Sequence, residues 1–254
     1  RWEGQIRTFY RPTINIKYEL ALRYQNLEID QEVVTDYNPL YFSNGDSTHS
    51  VFSLRLVYEY DDRDRKIFPA TGIKFSAEAE KIGLTNSADE NTLITALSVE
   101  WNATTGRRFQ HRVSTTAKYS LSRNRPSFVY YKGLGSGVKY VSGYELYVID
   151  GLDYVLGKYQ LAYKLLEKQS NLGSFMPVDQ FRQVTYAFYI SLLAEVGYVN
   201  DPYSGGVNPL TNQWLYGGGP AFTLLMYNNF LFQFSYCTNH LGEWGLFIHN
   251  STSI

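Results

Sequence analysis

The chain has 254 residues, 44% of them apolar, with 23 Lys and Arg against 24 Asp and Glu and a formal net charge of −1. There is no basic excess to neutralise phosphates, which argues against a nucleic-acid partner, and the lone Cys237 excludes an internal disulfide scaffold and cysteine-rich metal sites. Mean hydropathy is mildly polar at −0.29, and no apolar run reaches the roughly 18 residues that a membrane-crossing helix needs.

In chain order, the sequence opens at Arg1 with neither an initiator Met nor a signal peptide, and Trp2–Phe9 already reads as strand. An exported chain that has lost its signal, or a piece of something longer, is therefore expected. Residues 13–24 alternate strictly. Ile14, Ile16, Tyr18, Leu20, Leu22 and Tyr24 form one wall, and Asn15, Lys17, Glu19 and Arg23 the other, because successive strand side chains point to opposite faces. Soluble strands run to about half this length. An apolar-outward, charged-inward strand of this length suits a transmembrane β-barrel, whose strands cross hydrocarbon in roughly 9–11 residues around a wet lumen.

The pattern recurs downstream. Phe52, Leu54, Leu56, Tyr58 and Tyr60 oppose Ser53, Arg55 and Glu59; Ile73, Phe75, Ala77 and Ala79 oppose Lys74, Ser76, Glu78 and Glu80. Thr95, Leu97, Val99 and Trp101 oppose Ala96, Ser98 and Glu100, and Val155, Tyr159, Leu161, Tyr163 and Leu165 oppose Lys158, Gln160 and Lys164. Near the end Phe230, Phe232, Phe234 and Tyr236 oppose Gln233, Ser235 and Cys237. The 23 tyrosines fit the aromatic girdles of a bilayer interface.

These segments predict an all-β fold, a transmembrane antiparallel up-and-down barrel with strands at 2–10, 13–26, 50–61, 72–84, 92–103, 110–123, 153–166, 184–199, 214–227, 230–238 and 243–250. Short turns at 10–12, 104–106 and 228–229 alternate with long connections at 27–49, 83–91, 124–152 and 200–213, as barrel topology requires. The connection 61–71 is longer but falls on the turn side, and 167–183 is too long for a simple turn, so it carries a short helix or tucks under the rim. Eleven strands is an odd count where single-chain bacterial barrels use even ones. Either a strand lies unrecognised in 124–133, or strands precede Arg1; the second is the preferred expectation.

Conventional chemistry is sparse. His49, His111, His240 and His249 lack metal-ligand spacing and are expected to be solvated or interfacial; no metal site, cofactor or catalytic centre is expected. Gly133-Leu134-Gly135-Ser136-Gly137 has no lysine-hydroxyl pair after it and reads as flexible loop, not as a phosphate loop. Asp201-Pro202-Tyr203-Ser204-Gly205-Gly206 carries one carboxylate and reads as a turn in preference to a calcium site. Gly217-Gly218-Gly219 within a strand marks a bend or a close approach of another segment.

Two stretches carry a resemblance. Asp62-Arg63-Asp64-Arg65-Lys66-Ile67-Phe68-Pro69-Ala70-Thr71-Gly72 resembles the Asp-x-Arg-Asp, Phe-Pro-x-x-Gly turn of the BamA/TamA superfamily, the bacterial surface antigen family. Val141-Ser142-Gly143-Tyr144-Glu145, followed by Gly151 and a strand, resembles that family's Val-Arg-Gly-Phe/Tyr loop, which folds back into the lumen. Order and spacing support the pairing, since the five strands after this loop match the C-terminal part of a sixteen-stranded barrel. The resemblance then implies five further strands and periplasmic POTRA domains upstream. It makes residues 1–254 one outer-membrane barrel domain, with a lumen-plugging loop at about 132–150 in which Gly133, Gly135, Gly137 and Gly143 allow close approach and Val138, Tyr140, Val141 and Tyr144 shun open water.

The family's loop arginine pairs with an acidic residue two positions before a glycine, which matches Glu195 and Gly197, whereas this chain has Ser142 in the arginine's place. A buried ion pair missing one partner costs roughly 3–5 kcal/mol. Glu195 therefore needs a substitute, for which Lys139 is the candidate, or it is a solvated lumen carboxylate; both readings stand. By resemblance the function is non-enzymatic assembly, insertion or translocation of proteins at the bacterial outer membrane. The partners implied are outer-membrane lipids, client outer-membrane proteins and accessory lipoproteins. The alternative is a passive anchor or pore attached to an upstream soluble domain, such as a hydrolase.

Overall fold

The computed structural model describes residues 1–252 except 85–89, 136, 138, 172, 174–181, 204 and 207. Eleven strands follow one another: β1 (Trp2–Thr13), β2 (Ile16–Glu28), β3 (Thr48–Asp61), β4 (Gly72–Ile82), β5 (Thr92–Thr105), β6 (Phe109–Ser120), β7 (Asp153–Asn171), β8 (Gln183–Asn200), β9 (Trp214–Met226), β10 (Phe230–Asn239) and β11 (Trp244–Thr252). Each pairs with the next in one sheet of strand order, antiparallel throughout. β1 and β11 have one neighbour each among the described residues, so the wall is open between them.

Every strand expected from alternation is present, and the outward faces are as the alternation required. Leu20, Leu22, Leu54, Leu56, Leu97, Val99 and Phe232 are exposed, while Glu19, Ala21 and Ser53 between them are buried. The outward aromatics sit in two rows. Tyr10, Tyr18, Tyr58 and Phe75 touch in sequence near the turn end; Trp2, Tyr24 and Phe52 do so near the loop end, as do Tyr198 with Trp214 and Tyr236 with Trp244. Tyr18 and Tyr24 are separated by about 20 Å along β2 at 3.3 Å per residue, and Leu20 and Leu22 fill the interval. An apolar band between aromatic rows is an arrangement suited to hydrocarbon with a headgroup layer at each side.

The inward face is held by charge pairs between strands. Arg55 on β3 meets Glu78 on β4 through two nitrogens at 2.6 and 2.7 Å, Lys74 on β4 meets Glu59 on β3 at 3.0 Å, and Arg23 on β2 reaches across β3 to Glu80 on β4. Opposite charges at diagonal positions of neighbouring strands are within reach of long side chains and stabilise the pairing.

Three details differ from the sequence expectation. The first turn lies at Ile14–Asn15 instead of 10–12, with Thr13 opposite Ile16. Pro12 stays within the strand at the irregularity between Tyr10 and Thr13, where the ladder to β2 is already interrupted and a residue without an N–H removes no bond. Ile14 is consequently a turn residue, 93% exposed, not part of the outward wall. β7 and β8 run on to pair Asn171 with Gln183, past a bulge between Lys164 and Leu166 that leaves Leu165 and Leu166 both exposed. The short helix or tuck expected in 167–183 would fall largely in 174–181, outside the described residues. Residues 124–133 hold a single 3₁₀ turn at Phe128–Tyr130 and no strand, which removes one of the two explanations for the odd count.

Cysteines placed at 20, 56, 97 or 232 should react with a thiol reagent dissolved in lipid, and cysteines at 55, 78 or 158 only with a water-soluble one. Arginine at Leu56 should cost about 2–4 kcal/mol in folding from urea into vesicles, against much less for Glu78→Gln. Lipid-phase labelling of the second set would place the register one residue off.

Candidate functional site

The connection from β6 to β7 turns back against the inward face of the sheet. Its entry is fixed by Lys118, whose ammonium donates to the carbonyls of Tyr130, Lys132 and Gly151 at 3.4, 2.6 and 3.4 Å. Leu134 and Ile149 then exchange two backbone hydrogen bonds of 2.8 Å, closing the loop at its base. Leu134, Val141, Tyr144 and Ile149 are fully buried against Tyr154 and Leu156 of β7, Val199 of β8, and Leu210 and Leu215. Burial of Leu134, Val141 and Ile149 contributes on the order of 1.5–3 kcal/mol apiece to holding the loop in place. Val138 and Ser136, part of the same expected loop, lie outside the described residues.

At its tip the loop meets β8 and β9 backbone to wall. The Ser142 N–H donates to Glu195 Oε2 at 2.8 Å, and the Gly143 carbonyl accepts from Asn239 Nδ2 at 3.0 Å. A Cβ on Gly197 would stand 2.7 Å from Val141 Cγ2, and one on Gly217 only 1.8 Å from the Ser142 carbonyl oxygen. The wall thus lacks side chains where the loop presses closest. Val141, Ser142, Gly143 and Tyr144 are brought together with Glu195 and Gly197.

Lys139 is not the partner of Glu195. Its ammonium lies over the Tyr154 ring at 5.5 Å, and the cation beside Glu195 is Lys158, 3.2 Å away. Lys158 stands directly opposite Glu195 in the β7–β8 ladder. The sequence did carry this signal, an inward lysine on the preceding strand, but the long 167–183 connection hid the register. Glu195 is nearly enclosed, and the lysine and the Ser142 amide together compensate its charge.

The 62–71 segment builds a second inward feature at the turn end. Asp64 Oδ1 accepts the N–H groups of Ala70 and Thr71 at 2.8 and 3.2 Å, and Asp62 Oδ1 accepts that of Ile73. Gly72 has φ +105°, and a Cβ there would sit 2.6 Å from Arg63 Cα. Arg63 donates to both oxygens of Asp61 at 2.8 Å and to Glu100 at 3.1 Å; its pKa is raised, chiefly by the Asp61 hydrogen bonds. Phe68 and Pro69 are buried, with the Phe68 ring 4.7 Å from that of Tyr189 on β8, and Arg65 donates to Asn228 in the β9–β10 turn at 3.2 Å. A connection on the β3 side therefore reaches strands far along the sheet, which is possible because the sheet curls into a barrel wall.

Between the two features lies a polar cavity of about 200 Å³ lined by Glu100, Arg112, Ser142, Lys158 and Glu195. Its neighbour, of about 550 Å³, adds Glu78 and Lys139. Among the described residues no cluster of three metal-ligating side chains occurs. Two histidines depart from the solvated reading: His49 is buried and stacked on Phe42, and His249 is half-buried and bonded to Glu145; His240 is exposed, with its ring bonded to the Tyr144 hydroxyl. Burial pushes the Tyr144 phenol up to about 12. Asp201 accepts the Tyr203 N–H at 3.0 Å, as a turn aspartate does, while Ser204 in that stretch is outside the described residues.

No family model matches the chain, and no curated protein matches it. Among solved structures, the crystal structure of BamA from Haemophilus ducreyi lacking POTRA domains 1–3 is similar with a TM-score of 0.68 at 14% identity, over 99% of this chain and 53% of that one. This chain thus spans about half the length of the structure it matches. At that identity the likeness establishes the fold, a BamA-like barrel wall.

Lys158→Met should leave Glu195 with the Ser142 amide alone and cost up to about 3 kcal/mol, with much of it recovered in Lys158→Met/Glu195→Gln. Urea titration of the protein refolded into vesicles measures both; strict additivity of the two substitutions would remove the pair from the account. At the β10–β11 turn, hydrogen bonds from Asn239 and Tyr147 hold the Glu243 carboxyl below its ordinary 4.5. A depressed carboxyl stabilises above its unfolded value and loses that contribution as pH falls through the lowered one. The Tyr147 contact should therefore persist at neutral pH and be released below about 4.5, followed by Tyr147 ring chemical shifts; Glu243→Gln should flatten the response.

Proposed function

We propose that the chain is the C-terminal part of an outer-membrane β-barrel of the BamA kind, acting without enzymatic chemistry in the insertion or translocation of client outer-membrane proteins. The observation that carries this reading is the seat of the inner loop: Val141–Tyr144 packed against Glu195, Gly197 and Gly217 inside a wall of BamA-like fold. The apolar band between aromatic rows supports a place in a lipid bilayer, with lipids as the first partners. The outer edge of β11, the last strand, is where backbone groups meet a client strand in this reading. Accessory lipoproteins are further partners in this reading.

Ser142 in place of the family's arginine favours a second reading, a passive barrel anchoring a soluble domain encoded upstream. Photo-crosslinking amino acids at Leu246 and Ile248 in the intact protein separate the two. Adducts with newly exported outer-membrane proteins are expected, reduced when Gly217→Val displaces the loop. Absence of such adducts, with normal assembly of other outer-membrane proteins after depletion, would favour the passive anchor.

A further inference from the structure

On the inward face charges are gathered and matched, but at the β5–β6 turn two cations stand on the rim without a match. Gly106 has φ +63°, as a tight reversal requires, and it is followed by Arg107 and Arg108, both exposed. The other two short turns, Ile14–Asn15 and 227–229, carry no cation. On the flanking stretches 101–105, 109–113 and 159–168 the one carboxylate is Glu167, which Lys164 takes at 2.7 Å. Neither arginine has an ion-pair partner among the described residues.

The outward surface beneath this turn is polar in an ordered way. Arg108 Nη1 donates to the Tyr163 hydroxyl at 2.8 Å, its guanidinium 5.8 Å from the centre of that ring, and the Tyr163 ring lies 5.1 Å from that of Phe109. A guanidinium carries five N–H donors, so most of those on Arg108 remain for another acceptor. Two residues on, about 7 Å along β6, His111 faces the same way, opposite Leu161 of β7. Its Nε2 lies 3.1 Å from Thr105 Oγ1 and its Nδ1 3.0 Å from the Tyr159 hydroxyl, with the imidazole and the Tyr159 ring 6.3 Å apart and 26° from parallel. Both ring nitrogens are therefore engaged, and a hydrogen-bonded group stands where a wall meeting hydrocarbon alone would carry an apolar side chain. Cations at the rim with hydroxyls one step below match a lipid whose phosphate lies above its glycerol esters.

We propose that the β5–β6 turn binds the headgroup phosphate of an anionic glycerophospholipid in the leaflet that the turns meet. Arg107 and Arg108 hold the phosphate, as paired guanidiniums do, while Thr105, His111 and Tyr159 face the ester region beneath it. The site rests on the barrel's place in a bilayer, and stands whether or not the barrel handles clients.

A benzophenone amino acid at Leu161 tests it in the intact protein, reconstituted into vesicles of equal parts phosphatidylglycerol and phosphatidylcholine, with lipid adducts identified by mass spectrometry. Phosphatidylglycerol adducts should exceed phosphatidylcholine adducts about twenty-fold, since each cation near an anionic surface favours it about five-fold. Arg107→Gln/Arg108→Gln should bring the ratio close to one. So should about 1 M salt with both arginines present, a measurement that needs no further variant to fold. The same probe at Phe75, elsewhere on the outward face, should give a ratio near one with or without the arginines. Equal adducts at 161 with the arginines in place, an excess that survives their substitution or the salt, or the same excess at Phe75 would overturn the site. Loss of the excess on adding soluble glycerol phosphate would assign the arginines to a free phosphate and overturn the lipid. Lipid adducts at neither position would overturn the bilayer reading, and the site with it.

Discussion

Everything in this molecule follows from the requirement that a strand crossing hydrocarbon satisfy its backbone by pairing while showing opposite chemistry on its two faces. Pairing each strand with its chain neighbour meets the first demand, and side-chain alternation meets the second at no extra length. The apolar positions Leu20, Leu54, Leu56 and Leu97 then lie on one surface, and the charges are gathered on the other. Once gathered they must be matched. Glu78 with Arg55, Glu59 with Lys74 and Glu195 with Lys158 are the result, each between adjacent strands where the ladder fixes the spacing.

A wall so built encloses space, and two segments of the chain occupy it from opposite ends. The 62–71 segment comes from the turn end, anchored by Asp62 and Asp64 to its own backbone and by Phe68 to β8. The 132–150 loop comes from the other end and is anchored by apolar burial with a single polar seat at Glu195. They approach the same cavity, one through Arg63, Glu100 and Arg112, the other through Ser142 and Lys158. Lys158 and the Ser142 amide beside Glu195 are why a glutamate facing a serine is tolerable where an arginine would serve in the family that the sequence resembles.

The same loop is tied to the wall on both flanks, to β8 and β9 through its tip and to β10 and β11 through Gly143–Tyr147. Side chains from one connection therefore brace the C-terminal five strands against one another across the lumen. β11 is supported from its inner face by the Glu145 contact to His249.

How far the sequence alone reached can be judged from particular residues. Period-two alternation is local, so eleven strands, their facing and the inward set Lys17, Arg55 and Glu78 were legible without any long-range information, whereas the 62–72 turn and the 141–145 loop stood out only by resemblance to a family. The first turn was not: Pro12 looked like a turn residue because proline breaks ladders, and only the register shift between Tyr10 and Thr13 makes it harmless inside the strand. The partner of Glu195 was not legible either. Lys139 is near in sequence to Ser142, but register, set by a bulge at Leu165 and by the meeting of Asn171 with Gln183, places Lys158 opposite the glutamate instead. The pairing of Glu145 with His249 spans most of the barrel and has no signature along the chain, because which inward side chains meet is decided by how far the sheet curls and where the loop comes to rest.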